Sequence, residues 1–325
     1  MSTILQQQLD SAWVTTRSAT NHLYVIIDST KHKDLVDQFI FEEPEYISIF
    51  DTSLDYELEK ISPYIVKLES GSKFKEWLLA EWGEKQSGFF FYSDCESLEE
   101  LYQHFLTFTE IKQPNSDSSF FFNFYNPMSL VLWLNATPLI SRLEFFKVIQ
   151  NIILESEIIG QIKVLELDTA GFLVISEVLE DNSTEEIKCY QNSMQRVTTK
   201  KTEKSLPWLL SEEESNIIHK ISRYKFMLDI TRKMWAYSTI QEQHSYKGLW
   251  KKVHDWTDNL SRVNVRKRKD VALFLILLAK YEEQWLQHKN EINLILANKQ
   301  ESSGRIKYLD IRDIVMQAEV EGVNP

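Results

Sequence analysis

The chain has 325 residues, of which 43% are hydrophobic, 12% aromatic and 26% charged. This composition excludes a disordered protein, because disordered chains lack so many Phe, Tyr and Trp residues. The net charge of −12 is uneven: residues 1–200 carry 15 Lys and Arg against 31 Asp and Glu, whereas residues 201–325 carry 21 against 17. The acidic first part therefore disfavours nucleic acid and anionic lipid as partners, and the mildly basic second part favours an acidic partner.

Short apolar runs alternate with helical patterns in the first part, which predicts an α/β (α+β) domain with a mixed sheet and flanking helices over residues 1–180. The predicted strands are Leu23–Ile27, Tyr64–Leu68, Phe89–Tyr92, a hairpin of Phe108–Lys112 with Phe120–Tyr125, and a second hairpin of Ile162–Leu167 with Phe172–Ile175. The predicted helices are Lys33–Phe41, two that Ser72 and Ser97 cap, one that opens at Pro127, and Leu139–Leu154.

The apolar pattern dissolves over residues 181–205, which predicts a polar linker or exposed loop. Beyond it the apolar period becomes helical, so residues 206–325 are expected to form an all-α lobe. Ser211 and Glu214 have the spacing of a capping box at the start of its first helix. The predicted helices are Ser211–Tyr237, Gly248–Leu260, Arg266–Ala297 and Tyr308–Glu319.

The sequence shows no pattern of a signal peptide and no apolar run long enough to span a membrane. The segment Met1–Trp13 lacks the basic and apolar regions of a signal peptide. The longest uncharged apolar run, Val271–Ala279, has nine residues, about half of what a helix needs to cross a bilayer. The only two cysteines, Cys95 and Cys189, are too few for a disulfide framework. These features predict a cytoplasmic protein.

Motifs for catalysis, cofactors and metals are missing from the sequence. Gly83 and Gly88 have the four-residue gap of a phosphate-binding loop, but Phe89 and Phe90 follow where a Lys and a hydroxyl residue are required. No Ser lies between two close glycines as in a hydrolase elbow, and no two His are spaced to share one face of a helix. We therefore expect no cofactor, no metal site and no enzymatic activity.

The densest basic segment is the run Arg266, Lys267, Arg268 and Lys269. Such a run can contact phosphates or an acidic protein, or it can be an exposed helix start. No aromatic residue interrupts it, and its surroundings are only mildly basic, which favours an acidic protein over DNA.

Six motifs follow one another between residues 20 and 155. They are Tyr24 to Asp28, Tyr46 to Phe50, Pro63 to Leu68, a helix with Trp77-Leu78-Leu79 that runs into Trp82-Gly83 and the Gly88-led strand, Ser97 to Leu101 with His104-Phe105, and Phe122-Asn123-Phe124-Tyr125-Asn126-Pro127 before a Leu-rich helix. The order of these motifs resembles that of the type VI secretion effector adaptor family, whose members are also called effector chaperones.

The resemblance implies a non-catalytic adaptor that binds a cognate secreted toxin and loads it onto the VgrG spike protein, with no nucleic acid and no membrane span. It also implies that the motif positions, among them Asp28, Pro63, Trp77, Trp82, Gly83 and Gly88, are structural or contact a partner. Asn123 and Asn126 replace an arginine and an aspartate of the family pattern. If those two residues pair in relatives, an amide pair with weaker hydrogen bonds replaces a charged pair here.

The sequence leaves alternatives open. An interaction protein of unrelated purpose has the same composition but no secretion genes beside its own. An uncharacterised hydrolase requires separated residues such as His104, Asp28 and Ser93 to converge. A nucleic-acid binder would use Arg266 to Lys269. Within the adaptor hypothesis, the helical lobe is the expected site for the toxin, because specificity requires surface that differs among adaptors.

Overall fold

The structure is a computed structural model. It describes Leu5, Leu9 and residues 21–50, 61–82, 87–112, 119–156, 161–178, 184–188, 208–263, 265–282, 288–297 and 304–322. By its internal contacts the chain divides into two units, Met1–Ile221 and Ser222–Pro325.

Eleven strands lie within the described part of the first unit. They are β1 (His22–Asp28), β2 (Tyr46–Ser48), β3 (Pro63–Leu68), β4 (Gly88–Ser93), β5 (Glu110–Lys112), β6 (Ser119–Phe121), β7 (Asn151–Glu155), β8 (Ile162–Leu167), β9 (Leu173–Val178), β10 (Thr184–Lys188) and β11 (Trp208–Leu209). Eight of them form one sheet in the order β10-β9-β8-β7-β4-β1-β3-β2, and β11-β5-β6 form a small second sheet.

The predicted fold class is confirmed, with one difference in strand direction. Every pair in the eight-stranded sheet is antiparallel. Mixed pairing is confined to the small sheet, in which β11 runs parallel to β5 while β6 is antiparallel to it. The sequence suggested a mixed sheet because strand patterns alternate with helical patterns, which is typical of parallel βαβ units. The continuous apolar runs are those of strands that are buried on both faces.

Helices cover both faces of the main sheet, which explains those apolar runs. The helices of the first unit are α1 (Leu35–Glu42), α2 (Lys73–Trp82), α3 (Leu98–Leu106), α4 (Pro127–Ala136) and α5 (Leu139–Phe145), followed by α6 (Glu212–Trp235), in which the first unit ends. On β1, Tyr24 and Ile26 pack with α3 and α4, whereas Val25 and Ile27 pack with α1 and α2. Alternate side chains of the central strands thus enter two different cores.

The predicted helix Leu139–Leu154 is wrong in its second half. The α-helix ends at Phe145, a short 3₁₀ turn follows at Phe146–Val148, and Asn151–Glu155 is strand β7. The run Ile152-Ile153-Leu154 is rich in β-branched residues and is fully buried between β4 and β8. A short apolar run of this kind fits a buried helix or a buried strand equally well, so its tertiary partners decide.

Most of the segment 181–205, for which the sequence predicts a linker, lies outside the described residues. The part of it that the structure describes, Thr184–Lys188, forms β10 and pairs with β9. The division between the two units falls later, between Ile221 and Ser222.

The second unit is helical in its described part. It contains the end of α6, then α7 (Ser238–Gln243), α8 (Tyr246–Arg262), α9 (Arg268–Lys280), α10 (Lys289–Ala297) and α11 (Gly304–Gly322). A single apolar core joins them through fully buried side chains such as Leu249, Phe274 and Ile292. The predicted helix Arg266–Ala297 is two helices, because α9 ends at Lys280 and α10 begins at Lys289. Of the described helices, none has the length and apolar character needed to cross a membrane.

Candidate functional site

Three of the motif residues meet at one end of the main sheet. Asp28, the last residue of β1, lies opposite Pro63, the first residue of β3. On the other side of β1, Gly88 opens β4 opposite Ile27. Gly88 has a φ of 138°, and a Cβ atom there would lie 1.8 Å from the carbonyl oxygen of Ile26. Only glycine fits this position, because the collision is with backbone and the φ is one that other residues rarely adopt.

Asp28 is almost fully buried and has a local structural role. Its carboxylate accepts hydrogen bonds from the backbone nitrogen of Thr30 at 3.1 Å and from the Thr30 hydroxyl at 2.5 Å. It thereby caps the 3₁₀ turn Ser29–Lys31 that follows β1. The Asp28 backbone nitrogen also donates to the Ser87 carbonyl at 2.6 Å. The side chain of Asp28 is thus held by the turn that follows it, and its backbone is held by Ser87 beside β4.

Tyr125 packs against the core that includes α3 and α4 and lies within electrostatic range of Asp28. Burial, and then the negative charge of Asp28, raise the pKa of Tyr125 to about 12. This electrostatic coupling joins the first and the last of the six motifs, which are almost 100 residues apart in the sequence. The phenol therefore keeps its proton to a higher pH than an ordinary tyrosine does.

The remaining residues of the last motif build the entry to helix α4. Phe122 and Phe124 lie in the core that includes α3 and α4. The Asn126 side chain caps α4 by accepting from the Ser129 backbone nitrogen at 3.1 Å, and Pro127 is the first residue of the helix. Asn and Asp are equally good N-caps, so the replacement of aspartate at position 126 preserves this function.

Asn123 and Asn126 do not form the amide pair that the sequence suggested. The Asn126 amide oxygen is directed to Ser129, at its backbone nitrogen and at its hydroxyl. The Asn123 amide oxygen is buried and has no hydrogen-bond partner among the described residues. Asn123 and Asn126 therefore have separate environments.

The two motif tryptophans lie on the opposite face of the sheet, in helix α2. Trp82 is buried against Phe90, with ring centroids 4.5 Å apart. The His32 ring lies 6.1 Å from the Trp77 ring and 6.0 Å from the Trp82 ring, so the two tryptophans flank one imidazole. Gly83, which follows Trp82 in the motif, lies outside the described residues.

The hydrolase constellation is not assembled. Ser93 pairs with His22 at the start of β1, whereas Asp28 lies at the other end of that strand, about 20 Å away at the rise of a β-strand. His104 is buried in α3 with its Nε2 atom 2.9 Å from the carbonyl oxygen of Phe145. In the described part of the chain, no group of three or more His, Cys, Asp and Glu side chains could hold a metal ion.

The basic run lies at the start of helix α9, and its four side chains are exposed. Arg268 differs from the other three. Its guanidinium donates to the carbonyl oxygen of Ser222 at 3.2 Å and to the Ser222 hydroxyl, and it lies 5.8 Å from the centre of the Phe226 ring. Arg268 therefore fastens α9 to α6, whereas Arg266, Lys267 and Lys269 remain available to a partner.

Two features of the first unit were not predicted as candidate sites. Helix α5 exposes Leu139, Ile140 and Leu143, each close to half or more accessible. A buried carboxylate, Glu214, accepts a hydrogen bond from the indole nitrogen of Trp133 at 3.0 Å. The apolar spacing of α5 could have suggested the first feature, but nothing in the sequence links Glu214 to Trp133.

Residues 23–142 match a protein-family model described as a domain of unknown function, DUF4123. No curated protein and no solved structure matches the chain. The matched range runs from β1 into α5 and covers a little over a third of the chain. It contains all six motifs, the sheet end around Asp28 and the first half of the main sheet.

Proposed function

We propose that the protein is a non-catalytic adaptor that binds a cognate type VI effector in the bacterial cytoplasm and loads it onto the VgrG spike. The observation that carries this proposal is the match of residues 23–142 to the DUF4123 family, within which the six adaptor motifs occur in order. The family model itself names no function, so the adaptor function is inferred from the resemblance of those six motifs to effector adaptors.

The positions of the motif residues support the proposal. Asp28, Pro63 and Gly88 lie at one sheet end, and the charge of Asp28 acts on Tyr125. Phe122 and Phe124 lie in the core that includes α4. Such residues determine a fold rather than a reaction. A family that shares them shares a scaffold, and it can vary its exposed surface from one partner to another.

A non-catalytic role is favoured by the environment of the residues that a hydrolase would use. Asp28 caps a 3₁₀ turn, His104 faces a backbone carbonyl, and the Ser93 hydroxyl accepts from the Cys95 backbone nitrogen at 3.0 Å. Burial raises the pKa of the Cys95 thiol, whose Sγ lies 3.3 Å from the Glu100 carboxylate. A thiol held in its neutral form is a poor nucleophile.

Exposed apolar and cationic surface supports a role in protein binding. Leu139, Ile140 and Leu143 form an exposed apolar face of α5 in the first unit. The second unit exposes cations at the start of α9, as described above. Apolar patches and charged patches are the features by which proteins recognise one another, so two partners can be accommodated on different surfaces. We propose that the helical unit receives the effector.

The experiment that tests the proposal is an affinity pull-down of the full-length protein from a type VI-positive bacterium that encodes it, followed by mass spectrometry. We expect one VgrG protein and one toxin to be retained. Deletion of the gene is expected to abolish secretion of that toxin while spike assembly continues. Retention of neither protein, together with normal toxin secretion in the deletion strain, would leave an interaction protein of unrelated purpose as the better hypothesis.

A further inference from the structure

A cleft in the helical unit combines apolar and cationic groups. It has a volume of about 370 Å³ and lies between α8, α9 and α10. Leu260, Leu278 and Leu296, one from each helix, are buried at its floor. Clefts of a few hundred Å³ with an apolar lining and a few polar groups are typical of binding sites.

The rim of the cleft is positively charged. Arg262 at the end of α8 and Lys289 at the start of α10 are exposed and line the cleft, and neither has an ion-pair or hydrogen-bond partner among the described residues. Among the described residues of the lining the one carboxylate is that of Glu282, and it is 2.5 Å from the ammonium group of Lys252. Because that pair is neutral overall, Arg262 and Lys289 give the described lining its positive charge.

Further cations lie close to the rim. Arg266 follows Arg262 by four residues, so their Cα atoms are at most about 15 Å apart. The backbone nitrogen of Val265 donates to the Leu260 carbonyl at 2.9 Å, which closes the turn between α8 and α9 tightly. Lys267 and Lys269 extend the same turn. At physiological salt the screening length is about 8 Å, so each of these cations attracts mainly an anion that has already come close to the turn.

We propose that this cleft binds an acidic segment of a protein partner that carries an apolar side chain between its carboxylates. The apolar side chain enters the floor at Leu260, Leu278 and Leu296, and the carboxylates bind Arg262 and Lys289. This inference rests on the proposed adaptor function and assigns the helical unit its recognition site.

A protein segment fits the cleft better than nucleic acid does. Nucleic acid requires a broad cationic stripe, whereas here two cations flank an apolar floor. The half-buried Trp256 and the exposed amides of Asn259 and Asn293 complete the lining, and amides of this kind bind peptide backbone.

Fluorescence anisotropy with the full-length protein tests the proposal. The probe is a labelled short peptide with one Leu flanked by Glu residues on both sides. We expect it to bind, and we expect forms with Gln for Glu or Gly for Leu to bind at least about tenfold more weakly, since each loses one of the two contacts. Stronger binding of single-stranded DNA than of the peptide would overturn the proposal in favour of nucleic acid.

Protein variants locate the site. Arg262→Gln with Lys289→Gln is expected to weaken peptide binding about tenfold or more, and Asn293→Trp is expected to abolish it by filling the cleft while the charge is kept. The matched control, Lys251→Gln with Lys280→Gln, removes two exposed cations outside the lining and should bind as the wild type does. Equal losses in the control pair, or full binding by Asn293→Trp, would contradict the proposal. Thermal unfolding of each variant excludes loss of fold as the cause.

The same variants separate this inference from the adaptor proposal. If the wild type retains VgrG and a toxin, and the Arg262 and Lys289 double variant retains both equally well, the cleft inference fails and the adaptor proposal stands. If the wild type retains neither, the adaptor proposal fails whatever the peptide result is. Loss of the toxin alone in the double variant is the expected outcome.

Discussion

The indole nitrogen of Trp133 donates to the carboxylate of Glu214 across 81 residues of sequence, at a distance of 3.0 Å. Trp133 lies inside the range that matches the family model, and Glu214 lies well beyond it. The same carboxylate accepts from the Thr137 hydroxyl at 3.0 Å and from the Ser211 backbone nitrogen at 2.8 Å. The first turn of α6 is thus fixed to α4 within the first unit.

Replacement of Glu214 by alanine is expected to destabilise the first unit by about 3 kcal/mol or more. The change leaves the buried Trp133 indole and the half-buried Ser211 amide without their acceptor, and each unsatisfied buried donor costs about 1–3 kcal/mol. Urea unfolding followed by circular dichroism measures the loss. Ser211→Ala, which removes only the N-cap, should cost about 1 kcal/mol. Equal effects of the two changes would show that the indole contact contributes nothing.

Alanine substitutions at Gly71 and Gly88 distinguish the energetic cost of a steric collision from that of backbone strain. Both Gly71 and Gly88 have positive φ angles, of 74° and 138°, but a Cβ atom at Gly71 would meet nothing within 4 Å. We expect Gly71→Ala to cost about 1–2 kcal/mol, the strain of a left-handed conformation. Gly88→Ala should cost clearly more, about 4 kcal/mol, because β1 and β4 must move apart. Chemical denaturation of both variants is the measurement, and similar costs would contradict the collision.

The raised pKa of Tyr125 predicts how stability changes at alkaline pH. Its phenol ionises near pH 10 in the unfolded chain but at about 12 in the folded protein. The unfolded state therefore loses its proton first, so this contribution to stability is complete below pH 10 and is lost as the pH rises from 10 to 12. Tyr125→Phe should reduce the alkaline loss of stability, measured by urea unfolding at several pH values. An unchanged slope would rule out this coupling.

Asp28→Asn tests the cause of that shift. Removal of the negative charge should lower the pKa of Tyr125 towards its ordinary value, although burial, the larger cause, keeps it raised. Spectrophotometric titration of the phenolate, with Tyr125→Phe as the reference that identifies its signal, measures the change. A higher pKa in Asp28→Asn would have the wrong sign for this electrostatic interaction.

We expect one residue of the basic run, Arg268, to stabilise the helical unit, and the other three to contribute little to its stability. Arg268→Ala removes the contacts with Ser222 and Phe226 and should cost up to about 1 kcal/mol, as exposed cation–π and polar contacts do. Lys269→Ala should change the free energy of unfolding by no more than about 0.5 kcal/mol. The melting temperatures of the two variants, measured at two salt concentrations, are compared with that of the wild type. Equal melting temperatures for the two variants would indicate that Arg268 does not fasten α9 to α6.

Local signals in the sequence predicted local structure well. The buried strands around Ile26, Ile65 and Phe90 were visible as apolar runs, and Ser97 and Ser211 cap their helices as predicted. These features depend on neighbours within a few residues, so their physical cause lies in the sequence window that shows them.

Features that depend on distant partners were not predictable in the same way. The Ser211 and Glu214 capping box was visible, but the second function of Glu214 depends on Trp133, which comes from another part of the chain. The coupling of Tyr125 to Asp28 is equally remote in sequence. Residues 151–155 form a strand because they pair with β4 on one side and with β8 on the other. Tertiary contact overrides local pattern in each case.

The sheet has a practical implication for work with shorter forms of the protein. Strands β1 to β4 lie inside the family-matched range, but β7, which pairs with β4, begins at Asn151, after that range ends. A fragment cut at residue 142 would present Phe89, Phe90, Phe91 and Tyr92 along an open edge. Open apolar edges recruit strands from other molecules, so such a fragment should self-associate when expressed. Recombinant pieces should therefore retain β7 to β9 as well as the start of α6.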